Sequence, residues 1–316
     1  MKVRLIANPA AGRGRGARLL PAARAALAPL GADVCVTASP GDEARLAREA
    51  LDDGCTTIAV LGGDGTWSNA GRALLRAGGG DACALALLAA GTGSDYAKTL
   101  GAPARDFAAT AALVAAGTTW LVDAGRVDDE PFLNIAGFGF DAAVVEAMVG
   151  VRWPRGNALY AYAAVRELFG YRGFEAATDG GAPRPLLSLV VANARYFGGG
   201  FAIAPDARPD DGALDFLEIG PASPLRRLRI FAASASGAHV RLPEVDASRA
   251  AARLVAFDAP PLYEADGELR RAARREVEIA CVPGAIRVVA PATRATAATP
   301  PAAACGSGAS PRESAR

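Results

Sequence analysis

Residues 57–70 read TIAVLGGDGTWSNA, and the arrangement of the rest of the chain follows from this stretch. Ile58 to Leu61 are four consecutive apolar residues, the pattern of a short strand covered on both faces, as in a parallel sheet. Gly62-Gly63-Asp64-Gly65-Thr66 comes next, and a helical pattern runs from Ser68 onward. Three glycines in four residues permit a tight turn and a close approach to a ligand, because no Cβ stands in the way. The amides that open the following helix favour an anion such as phosphate. Asp64 is the odd member, since a carboxylate repels phosphate unless a cation lies between them. It reads as acting through Mg²⁺ on a nucleotide phosphate. A strand–turn–helix junction with glycines chosen for sterics alone fits the same residues.

Two further strands carry loops of this kind. Residues 3–7 form a strand stopped by Asn8-Pro9, and residues 10–16, AAGRGRG, form a second glycine-rich loop before a helix to about Leu27. Gly12-x-Gly14-x-x-Ala17 fits a loose dinucleotide fingerprint. The next strand, 33–37, ends in Thr37 and not in the acid that would hold a ribose, which disfavours a nicotinamide site. A helix begins at Asp42. Residues 85–88 are another strand, running into Gly91-Thr92-Gly93-Ser94-Asp95-Tyr96, with helices to about Leu100 and over 107–116. Strands alternating with helices imply an open parallel sheet with its loops gathered at the carboxyl edge, where ligands bind. From about residue 121 the texture changes. Strands over 121–127, 131–136, 186–192, 212–219, 253–257 and 277–282, with one helix over 158–168, point to an antiparallel second domain. Residues 286–289 are a last strand that suits either domain. Residues 291–316, mostly Ala, Thr, Pro, Ser and Gly, read as a disordered tail.

A length of 316 residues suits about two domains. A hydrophobic content of 51% with 21% charged residues marks a globular chain, and a net charge of +1 supplies no global field for nucleic acid. Basic residues cluster at Arg226, Arg227, Arg229 and at Arg270, Arg271, Arg274, Arg275; such runs are solvated faces or contacts with anionic membrane. Cys35, Cys55, Cys83, Cys281 and Cys305 have no metal-ligand spacing, and the single histidine, His239, has no partners for a triad. The opening MKVRLIANP runs straight into a strand, and no apolar run reaches the ~18 residues of a membrane span. The expectation is a cytoplasmic protein, soluble or at most peripheral to the inner face of a membrane.

Together these residues resemble the diacylglycerol kinase catalytic family in its bacterial lipid-kinase branch, related to sphingosine kinases and more distantly to NAD kinases. Asn8-Pro9-Ala10-Ala11-Gly12 is similar to the family's first nucleotide loop, Gly62 to Thr66 to its signature and Gly91 to Ala97 to its third loop. Asn193 to Gly200, residues 205–214 and Asp266-Gly267-Glu268 are similar to later segments. The fold expected is α/β: a Rossmann-like three-layer nucleotide domain over 1–120, then a mainly antiparallel β-sandwich lipid-substrate domain over 121–290.

The resemblance implies that Asn8, Pro9, Gly12, Thr37, Gly62, Gly63, Asp64, Gly65, Thr66, Ser68, Thr92 and Asp95 hold ATP, with Asp64 organising catalytic Mg²⁺. It implies that Asp95, Lys98 and Asp123 form a polar network and that Glu268 is the general base for a lipid hydroxyl. It places a structural Mg²⁺ on the Asp211 carboxylate and the carbonyls of Arg208 and Ala213; the Asp-Asp-Gly turn there forms equally well without metal. It also suggests a homodimer. The sequence departs from the family at Ala11, Ser68, Ser94 and Lys98, the last losing a bidentate fork. An NAD kinase and a catalytically silent nucleotide or lipid carrier are the alternatives, and Asp266-Gly267-Glu268 argues against both. Arg152-Trp153-Pro154-Arg155, with an indole between two cations, reads either as a membrane contact or as an ordinary partly buried Trp.

Overall fold

The computed structural model describes residues 1–148 and 157–291. The Arg152-Trp153-Pro154-Arg155 segment and all of the expected tail but Pro291 lie outside the described residues.

The first part alternates as expected: β1 (Val3–Ala7), α1 (Ala11–Leu27), β2 (Asp33–Val36), α2 (Asp42–Asp52), β3 (Thr57–Gly62), α3 (Asp64–Arg76), β4 (Ala84–Ala89), α4 (Asp95–Leu100) and α5 (Phe107–Ala115). The strands are parallel in the order β2-β1-β3-β4. Period-two alternation sends Ile6, Ile58, Val60 and Leu87 toward Leu46 of α2 and Trp67 and Leu74 of α3. Leu5, Ala59, Leu61 and Leu88 face the other way, toward Leu27 of α1 and Val114 of α5. Both faces are therefore covered, which is why these strands read as continuous apolar runs.

The second part contains β5 (Thr119–Val127), β6 (Glu130–Phe132), β7 (Ile135–Gly139), α6 (Phe140–Met148), α7 (Asn157–Gly170), β8 (Phe174–Thr178), β9 (Arg184–Leu186) and β10 (Ser188–Ala192). It continues with β11 (Leu214–Ile219), α8 (Pro224–Ser234), β12 (Val245–Ala250), β13 (Ala252–Phe257), β14 (Leu262–Ala265), β15 (Glu268–Arg271) and β16 (Glu276–Val289). One antiparallel sheet runs β12-β11-β10-β7-β14-β15; the other strands extend the parallel sheet as β4-β16-β13-β8-β9, with β5 and β6 beside β16. The two sheets enclose a core that includes Phe138, Leu189, Phe216, Val255, Phe257 and Tyr263. Phe138 stacks on both Phe257 and Tyr263 with ring centroids 5.3 Å apart.

Several expected elements change extent for identifiable reasons. The expected strands at 277–282 and 286–289 are one strand, β16, whose register shifts between Val282 and Ile286. Its end pairs antiparallel with Thr119–Val122 of β5 and parallel with β4 at Val288 and Leu85. The expected strand at 131–136 breaks at Leu133-Asn134, whose amides bond to Asp266 instead of to a neighbouring strand. The expected strand at 186–192 divides at Leu187, where the chain passes from one sheet to the other. The helix expected from Ser68 begins at Asp64, so Asp64, Gly65 and Thr66 are its first turn. Helix α8 carries a start signal, Ser223-Pro224, that the sequence reading passed over. Among the described residues no helix is long and apolar enough to cross a membrane.

Asn193, only 1% exposed, ties β5 to the segment between β6 and β7. Its Nδ2 donates to the carbonyls of Asp123 and Leu133, both at 2.8 Å. Asn193→Ala leaves two buried carbonyls without a donor, and an unfolding titration in urea is expected to show a loss of about 1–3 kcal/mol.

Candidate active site

The loops after β1, β3 and β4 meet at the carboxyl edge of the parallel sheet, and glycine makes the meeting possible. Gly12 has φ +58°, and a Cβ on it would lie 2.1 Å from the Ala90 carbonyl oxygen. A Cβ on Gly91 would lie 2.9 Å from Gly63 Cα, so the second and third loops touch main chain to main chain. Asn8 links the first loop to the second: its Oδ1 accepts from the Ala10 amide at 3.0 Å and its Nδ2 donates to Thr66 Oγ1 at 3.1 Å. Gly12, Arg13 and Gly14 all have left-handed backbone, so the regular part of α1 starts only after them. Thr37 sits at the same edge, buried, with its amide on the Ala7 carbonyl. The Thr92 carbonyl accepts from Arg105 at 3.0 Å. The structure thus brings together Asn8, Pro9, Gly12, Thr37, Gly62 to Thr66 and Thr92. The first-turn amides of α3 have no intrahelical acceptor and remain available to an anion.

Asp64 has work that needs no cation. Its Oδ2 accepts from the Ser94 amide at 2.8 Å, and its Oδ1 accepts from the amides of Asp95 at 2.7 Å and Tyr96 at 3.3 Å. The carboxylate of one helix start caps the start of another. Burial, then the neighbouring Asp95 carboxylate, push its pKa up, and the three amides pull it down. Asp95 in turn accepts from Lys98 Nζ at 3.0 Å and from the Gly199 amide at 2.7 Å, which carries the polar network into the second domain. Asp123 serves different loops, accepting from the amides of Gly212 and Gly284 at 2.8 Å each.

Asp266 and Gly267 form the two-residue turn between β14 and β15, with φ of 52° and 86°. It is a hairpin, as the local sequence suggests, but its tip points inward. Asp266 Oδ1 accepts from the amides of Asn134 at 2.8 Å and Ile135 at 3.1 Å; its Oδ2 accepts from the Leu133 amide at 2.9 Å and from the Ser68 hydroxyl. Arg72 of α3, 1% exposed, donates to the Ala265 carbonyl at 3.1 Å and pairs with Glu268 at 2.6 Å. Arg270 also reaches Glu268, at 2.9 Å. The Glu268 side chain stays 43% exposed, so a carboxylate held by two arginines faces solvent on the hairpin, two residues from Asp266 of the cleft. Asp64, Ser68, Tyr96, Asn134, Phe197 and Asp266 line one small cleft between the loops and the hairpin. The Tyr96 hydroxyl and Asn134 Oδ1 are buried there without a protein partner.

The sequence profile described as "Diacylglycerol kinase catalytic domain" matches residues 2–127, and "YegS C-terminal NAD kinase beta sandwich-like domain" matches residues 134–290. A protein named "Diacylglycerol kinase" from Mycobacterium tuberculosis (strain ATCC 25618 / H37Rv) is 34% identical over 303 residues, covering 92% of this chain and 95% of that relative. The chain belongs to the diacylglycerol kinase family. A Pseudomonas aeruginosa (strain UCBPP-PA14) protein named "Probable lipid kinase YegS-like" is 32% identical over 278 residues, 85% of this chain and 87% of its own. A crystal structure described as a diacylglycerol kinase from Bacillus anthracis str. Sterne has the same fold, with a TM-score of 0.68 at 20% identity over 92% of this chain and 97% of its own.

Within this diacylglycerol kinase fold, Asp211, implied to hold a structural Mg²⁺, makes contacts within the protein. The Asp211 carboxylate already has a cation, Arg249, at 3.0 Å, and its other oxygen accepts from the Ala213 amide at 3.2 Å. The described residues contain no group of three acids, cysteines or histidines that could hold a metal. Arg208 and Ala213 would add main-chain carbonyls, which are ordinary ligands of hard cations.

Arg72, Asp266 and Glu264 took no part in the sequence-derived site. Glu264 is fully buried: burial pushes its pKa well above the ordinary range, the Gly267 amide at 2.7 Å opposes this, and Asp141 and Asp266 reinforce it. An acid whose pKa rises on folding contributes most to stability below the ordinary carboxylate range, and the contribution fades as pH rises toward the folded value. Glu264→Gln is expected to flatten the fall in urea midpoint as pH rises above the ordinary carboxylate range. For Asp64, the sequence alone suggests that an amide costs turnover and leaves the fold intact. The three amides change that expectation: Asp64→Asn turns one acceptor into a donor facing N–H groups, and thermal and urea unfolding should show a loss of about 1–3 kcal/mol.

Proposed function

We propose that the protein transfers the γ-phosphoryl group of Mg·ATP to the hydroxyl of a lipid alcohol, with diacylglycerol as the acceptor suggested by the names of its relatives. The observation that carries this reading is the cleft lined by Asp64 and Asp266, which joins the glycine loops to the hairpin bearing Glu268. The loops hold the nucleotide through main-chain amides, and the acceptor hydroxyl enters beside Glu268. Its oxygen attacks the γ-phosphorus, its proton passes to the Glu268 carboxylate, and the bond to the β–γ bridging oxygen breaks to release ADP. Aliphatic alcohols are too weakly acidic to ionise at neutral pH, so a base at this point is required. Arg72 and Arg270 hold Glu268 in place. An apolar cavity of about 70 Å³ lies in the second domain, walled by Leu187, Val190 and Leu217 of the sheet side and by Leu168, Ile230 and Phe231 of α7 and α8. It is suited to hydrocarbon, which supports a lipid acceptor over NAD.

Incubation with radiolabelled ATP and a panel of lipids tests the reading; label should move to an organic-soluble product, and label moving to NAD would favour the NAD kinase alternative. Glu268→Gln keeps the size of the side chain and an acceptor for Arg72 but cannot take the proton. Its kcat is expected to fall by about 10²–10⁴-fold with KM for ATP nearly unchanged. A variant with an unaltered melting temperature and a kcat within a few fold of the parent removes Glu268 from the mechanism.

A further inference from the structure

We infer that Glu43 and Asn69 are positioning residues for Glu268 and act on it through Arg72; this rests on the reading of Glu268 as the base. Arg72, 1% exposed, carries the connection. Its Nη1 donates to the Ala265 carbonyl at 3.1 Å, and its Nη2 pairs with Glu268 Oε2 at 2.6 Å and donates to Asn69 Oδ1. Asn69 lies one turn back along α3, and its Nδ2 donates to Glu43 Oε1 at 2.8 Å. Side chains in series thus run from the first turn of α2, across α3, to the start of β15. A guanidinium can only donate, so the Asn69 oxygen must face Arg72, and this turns the Asn69 nitrogen toward Glu43.

Glu43 is the anchored end of the series. An acid in the first turn of a helix favours the helix dipole, but Asp42 already supplies one, and its Oδ2 accepts from the Ala38 amide at 3.0 Å. Glu43 is instead 4% exposed, on a helix packed against α3, with Oε2 lacking a partner among the described residues. Burying a carboxylate with one oxygen unserved is unfavourable, and the start of α2 gives no reason for it. What the burial provides is an acceptor of fixed position for Asn69. At the other end, Arg72 and Arg270 both meet Glu268 at Oε2, Arg270 at 2.9 Å, and no bond reaches Oε1 among the described residues. The pair of cations holds one oxygen and leaves the other to take the proton of the acceptor hydroxyl. That oxygen must lie within about 2.6–3.2 Å of the hydroxyl, so a small swing of Arg72 misplaces it. Arg270 is shared with Glu130 at 3.0 Å, so Arg72 is the member of the pair that ties the base to the helices of the parallel sheet.

Steady-state kinetics of the full chain with Mg·ATP and diacylglycerol in mixed micelles test this in two backgrounds, the parent and Glu268→Gln. In the parent, Glu43→Ala is expected to lower kcat about tenfold with KM for ATP within about twofold. Glu43→Gln keeps an oxygen for Asn69 and should hold kcat within about threefold of the parent. In the Glu268→Gln background, Glu43→Ala should change kcat by less than about twofold, because a residue that acts through another has nothing further to remove. Asn69→Ala breaks the same link at a half-buried position and should match Glu43→Ala in both backgrounds, so the test holds even where Glu43→Ala does not fold. Alanine variants that keep the parent kcat would overturn the inference, as would losses that multiply with that of Glu268→Gln. A loss confined to KM for ATP, or a Glu43→Gln variant as impaired as Glu43→Ala, would overturn it too. Each of these results leaves Glu268 as the base. Absence of transfer by the parent, or a kcat for Glu268→Gln within a few fold of the parent, overturns instead the reading beneath it, and the inference falls with that reading.

Discussion

The geometry around the cleft depends on half-buried carboxylates that accept main-chain amides. Asp266 receives three consecutive amides, those of Leu133, Asn134 and Ile135, more than 130 residues earlier in the chain. Asp64 receives three at the start of α4. Hydrogen bonds to an ionised acceptor are roughly twice as strong as neutral ones, and each of these joins segments that have no apolar core of their own. The glycine loops are too bare of side chains to pack; the hairpin tip is a two-residue turn. Without the carboxylates, these pieces would have the freedom of ordinary loops. With them, the cleft inherits the rigidity of the sheets on either side.

This construction explains what could be read in the sequence and what could not. The three loops were legible because a glycine that must lack a Cβ is a local property, and the loops directly follow apolar strands. Gly12, Gly63 and Gly91 are where that reading placed them, at one sheet edge. Asp64 stood out for its setting, but its acceptance of three amides thirty residues away leaves no mark in the residues beside it. Arg72 was hidden for a similar reason. In sequence it is a cation on an amphipathic helix, and only the tertiary approach of β15 makes it the buried partner of Glu268. The hairpin at Asp266-Gly267 was legible as a turn; that it points inward was not. Helix α8, by contrast, advertised its start with Ser223-Pro224.

Electrostatics sort the acids into distinct duties. Glu264 lies under the turn with one oxygen on the Gly267 amide and the other unpartnered, so the protonated form suits it. Asp266, two residues on, takes four donors. Glu268, two residues further, is gripped by arginines yet open to solvent. Alternation along the β14–β15 hairpin and the reversal at its tip give three carboxyl groups within five residues three different surroundings.

The path of β16 has a consequence for biosynthesis. The parallel sheet that carries the glycine loops is spelled by the first ninety or so residues, yet the strand on the far side of β4 is supplied by β16, near the end of the described chain. While the ribosome is still translating the middle of the message, β4 and β5 each lack the neighbour that later satisfies their open edges. Such an edge is a template for pairing with other chains, and chaperone protection matters most in that interval. The half that carries the glycine loops is thus first to be synthesised and among the last to be completed, so a ribosome that stalls before residue 276 releases a sheet with an unfinished edge and not a smaller working domain.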